Sequence, residues 1–383
     1  MTDPVPASRG AGGANDKNRI ERNPTEKKTM TKLRATIHGS AGAAVLALGL
    51  SGSVALADNH GPPDDVTNWV FQPCFDNTDA GWDNGIVPWI EAVEEATEGT
   101  VQFRLEPAGA LTSGSEAFGA TVAGQIDVTA CWATVYGGNM PEGMLAFGMA
   151  MGAESTEQAW DAMWGNPDYR IGELVQQAAM ERNLRWVGWS NQGPNAMFTK
   201  FRVDSLDDLA GRPMRAGGPQ AIFHSTMGGS PVSMDAGDIY TAIRLGTIEG
   251  TYWDTGGIND MSFHEVVDYA IMPGWNPAQH QEIFVNLDAW NGLNDWQREQ
   301  IDGIFEEVYF ETSRMHAEGV DQALQDLVDA GGEVIHLSDE EIARMRDVSI
   351  NEVWPQVAAQ SDLTAQGVEL WIAYLEEIGL VLS

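Results

Sequence analysis

Short strand-forming runs alternating with amphipathic helical segments constrain this chain more than any other feature, because that alternation is the signature of an α/β sheet. Strand-forming runs stand at Thr67–Gln72, Val101–Glu106, Val128–Trp132, Arg185–Trp189, Met197–Lys200, Pro213–Ala216, Ile248–Trp253 and Ile283–Asn286. Helical periodicity lies between them, at Val87–Thr97, Glu116–Ala123, Glu157–Trp164, Gly172–Asn183 and Ile239–Leu245. Ser155 with Gln158, and Ser338 with Glu341, have the spacing of a capping box. With 383 residues the chain is long enough for two lobes, each with its own core.

An internal echo supports two similarly built lobes. Ala123-Gly-Gln-Ile-Asp-Val-Thr129 matches Leu245-Gly-Thr-Ile-Glu-Gly-Thr251, and a tryptophan follows each, Trp132 and Trp253. Both copies read as a helix, a glycine C-cap, a short acidic turn and a buried strand. After Asn294 the texture becomes helical from Asp295 to about Ala330, a stretch of roughly 54 Å at 1.5 Å per residue. That length predicts a helix spanning both lobes, with Gly319 as the place for a kink. Two further helices, around Asp339–Asn351 and Thr364–Ile378, close the chain.

The first residues read as an export signal. Lys32 and Arg34 precede a weakly apolar run, Ala41–Leu50, and Ala55-Leu56-Ala57 has the small-x-small form of a cleavage site. A second methionine, Met30, would start a signal of ordinary length, which makes residues 1–29 an expected extension. Cleavage near Ala57 predicts a periplasmic protein. Residues 1–57 carry eight Lys/Arg and four Asp/Glu of the 21 and 56 in the chain, leaving 13 basic and 52 acidic groups and a net charge of −39. Such a surface repels nucleic acid and anionic lipid.

Cys74 and Cys131 each stand near the end of an expected strand. In an oxidising compartment they could pair, or they could be two small buried hydrophobes. No phosphate loop, His-Glu-x-x-His or Gly-x-Ser-x-Gly elbow occurs after the signal, so nothing argues for catalysis.

The richest segment begins Ser205-Leu-Asp-Asp-Leu-Ala-Gly-Arg-Pro-Met-Arg215-Ala-Gly-Gly218. Arg215 follows a strand-forming pair and precedes a glycine pair, unusual company for a surface arginine. A buried arginine is costly unless paired, and its planar fork suits a carboxylate. That carboxylate is either a ligand's or one of the chain's own.

Leu206–Gly250 resembles the substrate-binding subunits of TRAP (tripartite ATP-independent periplasmic) transporters. The resemblance rests on the Ser-Leu-x-Asp-Leu-x-Gly turn, the strand carrying Arg215, the small-residue segment Met227–Val232 and the close Gly246-Thr-Ile-Glu-Gly250. It extends over most of the chain after the signal. Tyr252-Trp253 and Pro273-Gly274-Trp275 are similar to the branch that handles 2-oxo and 2-hydroxy monocarboxylates such as pyruvate and lactate. The resemblance implies a two-lobed periplasmic binding protein fold with a ligand cleft between lobes. It divides the chain into 58–190 as the first lobe, 191–272 as the second, and 273–383 as a return to the first.

By the same resemblance Arg215 takes the ligand's carboxylate, Tyr136 donates from the opposite side, Asn195 offers an amide oxygen, and Trp253 with Trp275 forms apolar wall. Asp254, Asn195 and Gln281 (or Gln279) would hold a cation, Ca2+ or Na+, bound with the ligand. The implied partners are a small organic anion and the integral membrane subunits of the transporter. Two other roles suit the residues: a subunit presenting ligand to a membrane receptor, and an exported enzyme on a similar frame.

Overall fold

Two long strands organise the molecule, and neither reads as a single strand in the sequence. The computed structural model describes residues 61–234 and 236–381, so the expected export signal lies outside the described residues. The strands are β1 (Thr67–Phe71), β2 (Val101–Leu105), β3 (Val128–Cys131), β4 (Leu184–Thr199), β5 (Pro213–Arg215), β6 (Ser230–Val232), β7 (Gly250–Asp254), β8 (Tyr269–Asn286) and β9 (Glu333–His336). They form one mixed sheet in the order β2-β1-β3-β8-β4-β7-β5-β6, with β9 also paired to β8. β1 runs parallel to β2 and β3 at one end, and β5 runs parallel to β6 and β7 at the other. The antiparallel β4–β8 pair joins the two sets.

β4 absorbs both expected runs, Arg185–Trp189 and Met197–Lys200, together with the polar stretch between them. Ser190-Asn-Gln-Gly-Pro-Asn195 looks like a loop because glycine, proline and asparagine are poor strand formers. It stays extended because β8 pairs with it through repeated register shifts between Trp186 and Met197. Such irregularities bend a ladder without ending it. β8 likewise extends the expected Ile283–Asn286 backwards by fourteen residues to Tyr269.

Side-chain alternation along β4 explains the two lobes. On one sheet face Val187 joins a cluster with Trp69, Phe71, Trp89 and Ile283, while Phe198 joins a separate cluster with Ile239, Ile243, Phe263 and Leu327. On the other face Trp186, Trp189 and Met197 enter one continuous cluster that also holds Tyr252, Phe284, Trp354 and Trp371. One face is therefore split between two cores, and the other is welded. This is the two-lobed α/β architecture that the sequence implies.

The expected helix over Asp295–Ala330 is two helices, Asp295–Gly303 and Phe305–Asp329. The break falls at Ile304, immediately after Gly303, and Gly319 lies inside the second helix. The first helix has a full capping box between Asn294 and Gln297. The boxes expected at Ser155 and Ser338 are half-formed. Each serine accepts from the third residue's backbone N–H, but Gln158 instead accepts from the Glu154 N–H and Glu341 from the Leu206 N–H. The helix Phe305–Asp329 is about 37 Å long and lies along β4, with Ser313 Oγ accepting from the Asn191 N–H at 2.9 Å. It feeds Val308 to one split core and Ala323 and Leu327 to the other.

The echoed turns are alike in space. Gly124 and Gly246 take φ of 70° and 74°, the left-handed region open to glycine. Each hands its helix to a strand, β3 in one lobe and β7 in the other. Cys74 and Cys131 form a disulfide, which ties the segment after β1 to the end of β3.

At the crossing, Gly193 has φ of 85°, and a Cβ there would stand 2.6 Å from Val320 Cγ2 on the long helix. Gly193→Ala is therefore expected to lower stability by about 1–3 kcal/mol, read from thermal unfolding. An unchanged Tm would mean that strand and helix are not closely docked there.

Candidate functional site

In both parallel sets the carboxyl ends of the strands open onto the split between the two cores, the place where open α/β sheets bind ligands. β1 runs into the segment carrying Asp79, and β3 ends at Cys131, just before Trp132. β5 ends at Arg215 and β7 at Asp254. A cavity of about 230 Å3 lies there, lined among others by Asp79, Asn84, Trp132, Gln192, Asp254 and Asp260. The long helix closes it with His316, Gly319 and Val320. A groove of about 790 Å3 beside the helix Ile171–Met180 is larger, but its arginine, Arg185, is already paired to Asp302 at 2.8 Å. It also lies away from the strand ends.

Arg215 is half-buried beside this cleft. Its guanidinium carbon stands 5.0 Å from the centre of the Trp253 ring, a cation–π contact. Its one hydrogen bond among the described residues is long, Nη1 to the Tyr252 carbonyl at 3.5 Å. Arg212, three residues earlier, is paired with Glu249 at 2.8 Å. No carboxylate of the described residues stands within ion-pairing distance of Arg215. Burial pulls its pKa down, so the charge is held at a cost that no acid of the described residues offsets.

The cavity itself is acidic. Asp79, Asp254 and Asp260 all line the cavity. Asp79 and Asp254 are open to the cleft on one side and packed against protein on the others. Burial first, and then the charge of Asp254, raise Asp79 to about 7. Burial, followed by Asp260, raises Asp254 to about 6. His316, buried in the wall, is lowered by burial to about 4 and stays neutral.

The other expected ligand residues are distributed differently. Tyr136 is buried in the continuous core, stacked on Phe118 at 4.4 Å, and its hydroxyl donates to Glu282 at 3.0 Å. It does not face the cleft, because the short helix Ala133–Tyr136 turns its ring inward. Trp275 is also in that core, near Phe223. Asn195 accepts from Gln220 at 3.1 Å and donates to Gln279 at 2.9 Å, so both ends of its amide are engaged. Gln281 is buried at Gly81 and Gly85, and neither of its amide atoms has a partner. Asn195 and Asp254 stand opposite one another on β4 and β7, and Gln281 lies beside Asp79 at Gly81. Among the described residues no group of three or more His, Cys, Asp or Glu is placed to hold a metal ion.

Asp79, Gln192, Asp260 and His316 escape a sequence reading. Trp132 alone carried a signal, through its place in the echoed segment. No helix among the described residues is long and apolar enough to cross a membrane.

Two lobes sharing a pair of crossing strands, with a cavity between their cores at the strands' carboxyl ends, are the frame of a solute-binding protein. Residues 78–361 match the bacterial extracellular solute-binding proteins of family 7, and the chain belongs to that family. The likeness to TRAP binding subunits expected from Leu206–Gly250 is borne out. The monocarboxylate 2-oxoacid-binding periplasmic protein of Nostoc sp. is 25% identical over 299 residues, covering 75% of this chain and 78% of the relative. Among solved structures, a TRAP periplasmic solute-binding protein from Rhodobacter sphaeroides in an open, ligand-free state superposes with a TM-score of 0.70 at 22% identity. That match covers 82% of this chain and all of the other. One from Pseudoalteromonas atlantica with bound sodium and pyruvate has a TM-score of 0.70 at 17% identity, over 82% and 95% of the two chains. One from Bordetella bronchiseptica, with calcium and picolinate in its site, has 0.71 at 19%, over 82% and 93%. These structural likenesses show the shared fold.

A carboxyl raised by burial contributes stability in its protonated form. For Asp79 that contribution is full below about pH 4, the unfolded chain's own value, and is lost as the pH rises to about 7. Asp79→Asn is expected to raise Tm at pH 8 by an amount worth about 1–2 kcal/mol. The gain should shrink to nothing near pH 4 in thermal scans. A gain independent of pH would show that Asp79 carries no such penalty.

Proposed function

We propose that this protein is the extracytoplasmic binding subunit of a TRAP transporter and captures a small organic carboxylate between its lobes. Arg215 carries the reading: a half-buried guanidinium with no carboxylate partner among the described residues, in a chain with a large excess of acids. An ion left unpaired at a cleft is completed by a ligand, and a bidentate carboxylate suits its planar fork. Trp253 holds the guanidinium's other surface and fixes its direction. The positive charge of Arg215 offsets, locally, the field of an acidic chain that would otherwise repel an anion.

The chain is exported and hands its ligand to integral membrane subunits. Within small carboxylates, a 2-oxo or 2-hydroxy acid is supported by the Nostoc relative and by the pyruvate in the Pseudoalteromonas structure. Closure of the lobes bends β4 and β8 at their irregular middle, which lets each core move as a unit.

Calorimetric titration of the metal-stripped protein tests the proposal, using pyruvate and lactate with and without calcium. The expected result is one-to-one binding that Arg215→Ala weakens by roughly 100-fold, the loss of a charge-assisted pair worth about 3 kcal/mol. Tm without ligand should not fall, because the described residues give the arginine no acid to lose. No binding by the wild type, together with a lower Tm for Arg215→Ala, would make Arg215 a structural residue.

A further inference from the structure

We infer that the acidic cavity between the cores is a binding site for a small organic ammonium ion, separate from the carboxylate site at Arg215. Arg215 does not line this cavity, so the two sites stand or fall independently. Three carboxylates from three segments do line it: Asp79 after β1, Asp254 at the end of β7, and Asp260 on the one-turn helix that follows. No lysine or arginine does. Asp254 Oδ1 and Asp260 Oδ2 meet at Gly256, where a Cβ would stand 2.9 and 3.3 Å from them. The same point is 3.9 Å from the Cβ of Ala80, next to Asp79 in the chain. Like charges gathered this closely favour a cation among them.

Buried polar groups without partners accompany the acids. His316 lines the cavity from the long helix, is 4% exposed, and has no hydrogen-bond partner at Nε2. Gln281 is 1% exposed, and neither of its amide atoms has a partner. The two face one spot on Gly85, where a Cβ would stand 2.8 Å from Gln281 Oε1 and 3.6 Å from His316 Nε2. At Gly81, one turn earlier, a Cβ would stand 2.7 Å from Gln281 Nε2 and 2.9 Å from Asp79 Oδ1. The orphan amide therefore spans from the imidazole to the acid. Groups buried to this degree are rarely left unsatisfied unless a ligand or ordered water completes them. Burial keeps His316 neutral, and a neutral imidazole nitrogen and an amide oxygen both accept hydrogen bonds. Carboxylates with neutral acceptors beside them suit the charge and the three N–H donors of a primary ammonium group.

Size and lining favour an organic cation over a bare metal ion. The cavity of about 230 Å3 is several times one water's share of liquid volume, about 30 Å3, so it has room for carbon as well as charge. Trp132 lines it, fixed by its indole N–H donating to Gln192 Oε1, and Val320 and Ala323 add apolar surface from the long helix. An ammonium group is attracted to an aromatic ring. Among the described residues no three His, Cys, Asp or Glu converge as the ligands of a metal would.

Amines and alcohols of matched shape test this in the purified, metal-stripped protein, in an amine-free buffer at pH 8 where the aspartates are ionised. The pairs are benzylamine with benzyl alcohol, and 3-methylbutylamine with 3-methylbutanol. By calorimetry at least one amine is expected to bind one-to-one and at least tenfold tighter than its alcohol. Asp254→Asn and Asp260→Asn should each weaken that amine at least tenfold, in proteins whose thermal unfolding remains cooperative. Amines that bind no better than their alcohols would overturn the ammonium site, and pyruvate binding in the same preparation would leave the carboxylate reading standing. Amine affinity unchanged in both variants would place the amine elsewhere and overturn the site as well. Calcium held by these aspartates, with no amine bound, would make the cavity a metal site instead.

Discussion

The pairing of β4 with β8 is the constraint on which everything else depends. These two strands alone belong to both halves of the sheet, and their ladder passes under the cleft through a run of irregular register. On one face the cores stop at that run. On the other they continue, with Trp189 stacked against His280 and Tyr309 at 4.0 and 4.6 Å. A molecule built this way has a soft line on one side and a welded back on the other. Its softest motion opens and closes the cleft. The long helix, docked against β4, limits that motion to the direction in which the two split cores separate.

The chemistry at the cleft follows from the charge of the chain. A protein with so many carboxylates leaves few arginines without an acid, and most of its arginines are paired on the surface, as Arg202, Arg314 and Arg344 are. Arg215 escapes because β5 is short and flanked on both sides by parallel strands. Its side chain is laid over Trp253, beyond reach of the surface acids. The acids that do reach the cleft line its cavity, where burial raises Asp79 and Asp254 toward their neutral forms.

How much of this was legible depended on how locally each feature is encoded. Apart from β6, which was read only as a small-residue segment, the strands of the two parallel sets were readable to within a residue or two, since apolar runs flanked by glycine turns are local signals. The echoed glycine turns at Gly124 and Gly246 were readable for the same reason. The middle of β4 was not, because its extended form is imposed by β8 and not by its own residues. The break at Ile304 was missed because Gly319, a tolerable glycine inside a well-packed helix, was the more obvious interruption. Arg215, Trp253 and Asp254 lie on strand ends that local pattern locates. Asp79, Asp260 and His316 arrive from segments far apart in the chain, and among so many acids no spacing distinguishes them. Tyr136 was misplaced because which way a one-turn helix points its ring is settled by packing against Phe118 and Phe284.

A crystal structure with the tightest-binding small acid tests the central claim most directly. The account predicts the ligand between the lobes with its carboxylate on the Arg215 guanidinium and Trp253 still against that side chain. A ligand carboxylate bound elsewhere, or Arg215 turned onto one of the protein's own acids while ligand is bound, would contradict it.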